Sequence, residues 1–191
     1  MIKYNCTKCG KEFSQKSKYD SHMKRKTSCV KKLKYIDLFC GMGSFHYSFQ
    51  KLGFKCVMAC DIYKPAKDNY KHNYNMEILD DICDIIPSNI ESYDILCAGF
   101  PCQCWSQAGH QKGFKDSRGT MFSQVMRFVK INIPKIIILE NVPALLNHDK
   151  GKSFDKMKKE LEGEGYTIAG LDQTGFRRKM YSYSFFQNDW D

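Results

Sequence analysis

The chain has 191 residues, 42% of them hydrophobic, and a net charge of +9 at neutral pH; it can bury one sizeable core beside a small extra module, and it attracts polyanions. No stretch is long and apolar enough to span a bilayer, and the polar start Met1-Ile2-Lys3-Tyr4-Asn5 does not read as a secretory signal, so an intracellular protein, cytoplasmic or nuclear, is expected. The ten cysteines then read as reduced thiols and metal ligands, not as a disulfide framework.

The first element in chain order is a compact cysteine-histidine pattern. Cys6 and Cys9 are separated by two residues, twelve more lead to His22, and six more to Cys29. Phe13 and Tyr19 fall between, where a Cys2His2-type zinc finger keeps its two core apolar residues. A module of this size has too little to bury, so four tetrahedral ligands to Zn2+ would supply the missing stability. Cys29 stands in place of the usual second histidine. The resemblance implies a small ββα finger over residues 1–30. Its helix would turn Gln15, Lys18 and Ser21 toward base edges, and a protein contact or a plain tether is the alternative. Charge favours a polyanion: residues 1–34 hold 11 Lys and Arg against 2 acidic residues, whereas the remaining 157 balance at 19 against 19. Val30-Lys31-Lys32-Leu33-Lys34 is a short connector.

Beyond the connector, apolar runs predict strands near Tyr35–Phe39, Phe54–Ala59, Met76–Leu79, Asp94–Ala98 and Lys135–Leu139. Helical patterns alternate with them at Phe45–Leu52, Ala66–Tyr74, Met121–Ile131 and Ser153–Leu161. This alternation implies an α/β fold, a doubly wound, mostly parallel, Rossmann-like sheet whose ligand sits at the carboxyl ends of the strands. There is no internal repeat and no low-complexity tract.

The chemistry-bearing motifs fall at those strand ends. Gly99-Phe100-Pro101-Cys102 opens a loop that runs through Gln103-Cys104-Trp105-Ser106-Gln107-Ala108-Gly109 to Asp116-Ser117-Arg118-Gly119-Thr120. Glu140-Asn141-Val142 follows the apolar run Ile136–Leu139. Singly, Cys102 or Cys104 reads as a small core residue and Glu140 as a helix cap. Together, in this order, they resemble the carbon-5 cytosine-specific DNA methyltransferases.

That resemblance implies Cys102 and Glu140 as the catalytic pair. Carbon-5 of cytosine is a weak nucleophile, so a thiolate from Cys102 must first add to carbon-6. Glu140 would meanwhile hydrogen-bond or protonate ring nitrogen 3. The loop from Gln103 to Ser117, with Gly109 and Gly113, would close over a base flipped out of the duplex.

The resemblance extends upstream. Tyr35-Ile36-Asp37-Leu38-Phe39-Cys40-Gly41-Met42-Gly43-Ser44-Phe45 is similar to the family's first motif, which implies that Phe39, Gly41, Gly43 and Ser44 bind S-adenosyl-L-methionine. Ser44 stands where the family usually has a further glycine. Asp61-Ile62 ends the next apolar run, at the distance where an acidic side chain meets ribose hydroxyls; a surface aspartate after a strand is the alternative. Asp81-Ile82 resembles the third motif, facing adenine, with Asp80 in place of a glycine. Pro101 completes the expected cofactor set.

Three domains are expected: residues 1–30 as the finger, 35–171 as the catalytic domain and 172–191 as a divergent tail. In that tail Arg177 and Lys179 are either a shortened remnant of the family's paired arginines or plain surface charges. The family's target-recognition domain is not legible, so a truncated product, or a second polypeptide carrying that domain, is expected beside the DNA substrate. A tRNA methyltransferase of the same superfamily and a noncatalytic zinc-finger DNA-binding relic are the alternatives. A Lys-rich finger ahead of a bacterial-type methyltransferase is similar to proteins of large DNA viruses.

Overall fold

A computed structural model describes residues 3–25, 29, 32–101, 121–172 and 181–187, with residues 169–172 and 181–187 as backbone. The chain divides into two compact units, Met1–Leu33 and Lys34–Asp191.

In the first unit, strands β1 (Tyr4–Asn5) and β2 (Glu12–Phe13) pair antiparallel and precede helix α1 (Lys16–Lys24). The unit has almost no apolar interior of its own: α1 buries none of its residues. Tyr19 stacks on Tyr4 and meets Phe13 edge-on, and Phe13 packs against His22. A cluster this small cannot carry a fold by burial alone.

The second unit is a six-stranded sheet: β3 (Lys34–Leu38), β4 (Lys55–Cys60), β5 (Ile95–Ala98), β6 (Ile136–Asn141), β7 (Tyr166–Asp172) and β8 (Tyr181–Gln187), in the order β4-β3-β5-β6-β8-β7. The first four strands in that order are parallel, and β8 runs antiparallel to both β6 and β7. Helices α2 (Ser44–Lys51), α3 (Lys64–Tyr74), α4 (Met121–Asn132), α5 (Ala144–Asn147) and α6 (Lys152–Gly163) connect them. Covered on both faces, β5 buries all four of its residues and β3 all but its first, as a central parallel strand must.

The helices dock through spacings visible in the sequence. In α4, Phe122, Val125, Met126, Phe128 and Val129 are buried, and in α6 Met157 and Leu161 lie four apart on one face. They join Ile36, Leu38, Leu96, Ile137 and Leu139 in one core. Each such fully buried side chain contributes roughly 1.5–3 kcal/mol.

One expectation needs correction. Met76–Leu79 is not a strand of the sheet; a single bridge joins Leu79 to Cys60, and Leu79 remains exposed. Within residues 172–191, residues 181–187 form β8, inserted between β6 and β7. That insertion satisfies the backbone of β6 on its second side, which otherwise would be an open sheet edge.

Candidate active and metal sites

The parallel registers bring the motifs to one edge. Leu38 pairs with Cys60 and with Ala98, and Ala98 with Leu139. The residues that follow, Phe39, Asp61, Gly99 and Glu140, therefore leave the sheet side by side at its carboxyl end. The chain order reverses between β3 and β5, which makes this the crevice where an open α/β sheet receives a ligand.

The turn after β3 is built from left-handed residues. Phe39 (φ 58°), Gly41 (φ 52°) and Gly43 (φ 87°) alternate with ordinary ones. A bulky residue at positive φ is held there only when its surroundings enforce it. Here Phe39 packs against the core, Cys40 N–H donates to Cys60 O, and Gly43 N–H donates to Cys40 O at 2.8 Å. Ser44 opens α2 directly after Gly43, so free amides at a helix N-terminus border the turn.

Asp61 closes the turn from the neighbouring strand. Its Oδ2 accepts from Gly41 N–H and its Oδ1 from Tyr63 N–H, both at 2.8 Å. Each oxygen keeps a lone pair for a further donor. Ile62 is 73% exposed beside it. Asp81 turns its own loop, accepting from Cys83 N–H at 2.9 Å, whereas Ile82 is buried in the core and supports that loop from beneath. Asp80, where the family has a glycine, forms an ion pair with Lys67.

Glu140 is half-buried, and burial pushes its carboxyl above the usual carboxylate range. Gly99 lies against it: a Cβ there would sit 3.3 Å from Glu140 Oε2. The next residue, Asn141, is a positioning element that the sequence reading left without a role. Only 5% exposed, its Nδ2 donates to Phe100 O at 3.0 Å and its Oδ1 accepts from Val142 N–H at 2.9 Å. It thus fastens the end of β6 to the segment Gly99–Pro101, one residue before Cys102. Cys102 itself lies outside the described residues, as do Cys104, the loop through Ser117, and Arg177 and Lys179.

The four thiols buried or half-buried in this unit do not compete as nucleophiles. Burial raises Cys40, Cys56, Cys60 and Cys97, with Cys56 pushed up to about 11 and Cys60 to about 12. They stay protonated and behave as small core residues. All the described cysteines are free. Beneath the turn, Asp37 is fully buried, and neither carboxyl oxygen has a hydrogen-bond partner among the described residues. Burial first, and the Asp61 carboxylate second, hold its carboxyl well above the ordinary range.

In the first unit, Cys6, Cys9, His22 and Cys29 offer ligand atoms within 4.8 Å of one another. Bonds of about 2.3 Å to sulfur and about 2.0 Å to nitrogen place tetrahedral neighbours about 3.5–3.8 Å apart. Cys6 Sγ and Cys29 Sγ are 3.7 Å apart, and Cys9 Sγ and His22 Nε2 3.5 Å. The donor set and the spacing both fit a tetrahedral ion.

The family model described as C-5 cytosine-specific DNA methylase matches residues 33–171. Type II methyltransferase M.MspI of Moraxella sp is 35% identical over 96% of this chain and 46% of its own length. Type II methyltransferase M.HaeII of Haemophilus aegyptius is 42% identical over 73% of this chain and 44% of its own. The chain spans about half the length of the curated relatives it matches. Among solved structures, S. pombe Dnmt2 methyltransferase superposes with a TM-score of 0.66 over 84% of this chain and 52% of that one, at 21% identity, a likeness of fold.

Proposed function

The chain belongs to the C-5 cytosine-specific DNA methylase family, and from that premise we propose that it transfers a methyl group from S-adenosyl-L-methionine to carbon-5 of cytosine in DNA through a covalent adduct with Cys102. The observation that carries this reading is the convergence of the Phe39–Gly43 turn, Asp61, the Asp81 loop and Glu140 on one sheet edge, with Asn141 tied to the segment that leads into Cys102.

S-adenosyl-L-methionine supplies an electrophilic methyl group when bound. The Gly41–Gly43 turn and the amides opening α2 would hold its methionine part, Asp61 its ribose hydroxyls beside exposed Ile62, and the Asp81 loop its adenine. Cys102 adds as a thiolate to carbon-6, and Glu140, whose carboxyl burial raises above the usual range, hydrogen-bonds or protonates nitrogen 3 as electrons enter the ring. After transfer, a water molecule takes the carbon-5 proton, Glu140 recovers the proton from nitrogen 3, and elimination expels the Cys102 thiolate.

The Cys6, Cys9, His22 and Cys29 cluster holds Zn2+ in this proposal, and the ion would supply folding energy to a unit whose helix buries nothing. The lysines of that unit then bind DNA phosphates. Fingers that read bases would use Gln15, Lys18 and Ser21, and α1 starting at Lys16 agrees with that numbering.

The deciding experiment is trapping with a duplex containing 5-fluorocytosine, with the other half of a relative supplied in trans in one arm. An adduct that Cys102→Ser abolishes and Cys104→Ser leaves intact is expected. An adduct that survives loss of Cys102 refutes the assignment, and transfer to tRNA in preference to duplex DNA would place the chain in the sister branch.

A further inference from the structure

The turn between β3 and α2 is held from outside by three aromatic side chains that no step of the reaction uses. Tyr74, near the end of α3, donates its hydroxyl proton to Gly43 O at 3.0 Å. Its ring closes on the same glycine: a Cβ at Gly43 would lie 2.4 Å from Tyr74 Cε2 and 2.9 Å from Tyr70 Cε2. No side chain fits in that gap, so backbone and rings are in contact. His46, one turn into α2, stacks on Tyr74 with centroids 4.0 Å apart and planes 23° from parallel. Its Nδ1 shares a hydrogen bond of 2.7 Å with the hydroxyl of Tyr70. Tyr70 is fully buried and meets both rings edge-on, with Cys56 Sγ 3.9 Å from its oxygen.

These contacts join α2 to α3 across the turn. Gly43 caps α2 at φ 87°. The Gly43–Ser44 peptide is held at its carbonyl by two donors, Tyr47 N–H at 2.9 Å, the first bond of α2, and the Tyr74 hydroxyl at 3.0 Å, and the second of these is the one that ties it to α3. A carbonyl fixed in direction also fixes the amide of Ser44 that follows in the same peptide unit. That amide is one of the donors opening α2.

We propose that His46, Tyr70 and Tyr74 form a bracket that sets the direction of the Gly43–Ser44 peptide, making them positioning residues for S-adenosyl-L-methionine, with the Tyr74 hydroxyl as the acting group. The inference rests on the cofactor reading of the turn given above. Tyr70 locks the histidine, the histidine stacks the Tyr74 ring in place, and the hydroxyl on that ring holds the peptide. Removing the hydroxyl leaves ring packing and core untouched. Its effect is therefore local, which separates positioning from general stability.

The test uses the full chain and its Tyr74→Phe variant, with two readouts. Amide hydrogen exchange at Tyr47, whose N–H donates to the same Gly43 carbonyl, needs no ligand; loosening that carbonyl should speed it about threefold to tenfold, while Leu96 and Cys97 in β5 exchange as before. Calorimetric titration with S-adenosyl-L-methionine should show affinity falling by about the same factor, with an unfolding midpoint lowered by no more than about 4 °C. Tyr74→Ala, which removes the ring as well, should enlarge both effects. Tyr47 exchange that stays within twofold in Tyr74→Phe overturns the bracket, and so does unchanged affinity. Absence of binding by the unaltered chain overturns the cofactor reading instead, and the exchange data tell the two failures apart.

Discussion

Replacing Asn141 with alanine tests whether the end of β6 is mechanically tied to the segment before the nucleophile. The side chain is 5% exposed and serves two backbone groups, Phe100 O at 3.0 Å and Val142 N–H at 2.9 Å. Leaving a buried polar group without its partner costs about 1–3 kcal/mol. Phe100 is buried and Val142 half-buried, so the total should be about 2–4 kcal/mol, or a midpoint lower by roughly 4–16 °C in a unit of this size. Circular dichroism, dominated by the helices and strands of the second unit, follows the loss during thermal and urea unfolding. Asn141→Asp adds a second arm. Its oxygen still accepts from Val142, but the other faces Phe100 O and must stay protonated to donate. Burial raises that carboxyl in the folded state, so the variant should be near wild type at low pH and lose stability as pH rises above the unfolded value of about 4. A loss below about 1 kcal/mol for Asn141→Ala at neutral pH would refute the reasoning, since neither backbone group could then depend on this side chain.

Gly43→Ala should be more damaging at the cofactor turn than anywhere else along it: a Cβ 2.4 Å from Tyr74 at φ 87° forces the bracket open, and S-adenosyl-L-methionine binding measured by calorimetry should fall at least tenfold. Asp37→Asn should stabilise the second unit at neutral pH. The folded carboxyl titrates above its unfolded value, so the native chain loses stability as pH rises from about 4 through the folded pKa, by up to ~1.4 kcal/mol per pH unit, and the difference between variant and wild-type midpoints should widen over that range. A pH-independent difference would contradict the burial argument. Chelation should unfold the first unit while leaving the unfolding midpoint of the second unchanged. Deleting residues 1–34 should flatten the salt dependence of DNA binding measured by anisotropy, because the net charge of +9 equals the excess of 11 basic over 2 acidic residues there. Equal slopes with and without residues 1–34 would mean that the second unit holds the DNA.

Much of this protein is written locally in its sequence. Positive φ at Gly41 and Gly43 follows from residue type, the helical spacing of Phe122, Val125 and Val129 follows from period, and the clustering of Cys6, Cys9, His22 and Cys29 follows from their spacing. Such features depend on neighbours within a turn or two, where chain geometry leaves few alternatives. What tertiary structure decided depends on partners far apart in sequence. The apolar run Met76–Leu79 looks like a strand but finds one bridge, while residues 181–187, with no reason in their own composition to lie beside β6, fill the edge it leaves open. Ile82 is next to an expected ligand-facing aspartate yet points into the core, and Asp37, a carboxylate by composition, is a buried acid because β3 is covered on both faces. The ties from Tyr74 to Gly43, 31 residues apart, and from Asn141 to Phe100, 41 apart, have no local signature, since a hydrogen bond across such a separation exists only after the sheet has brought its strand ends together.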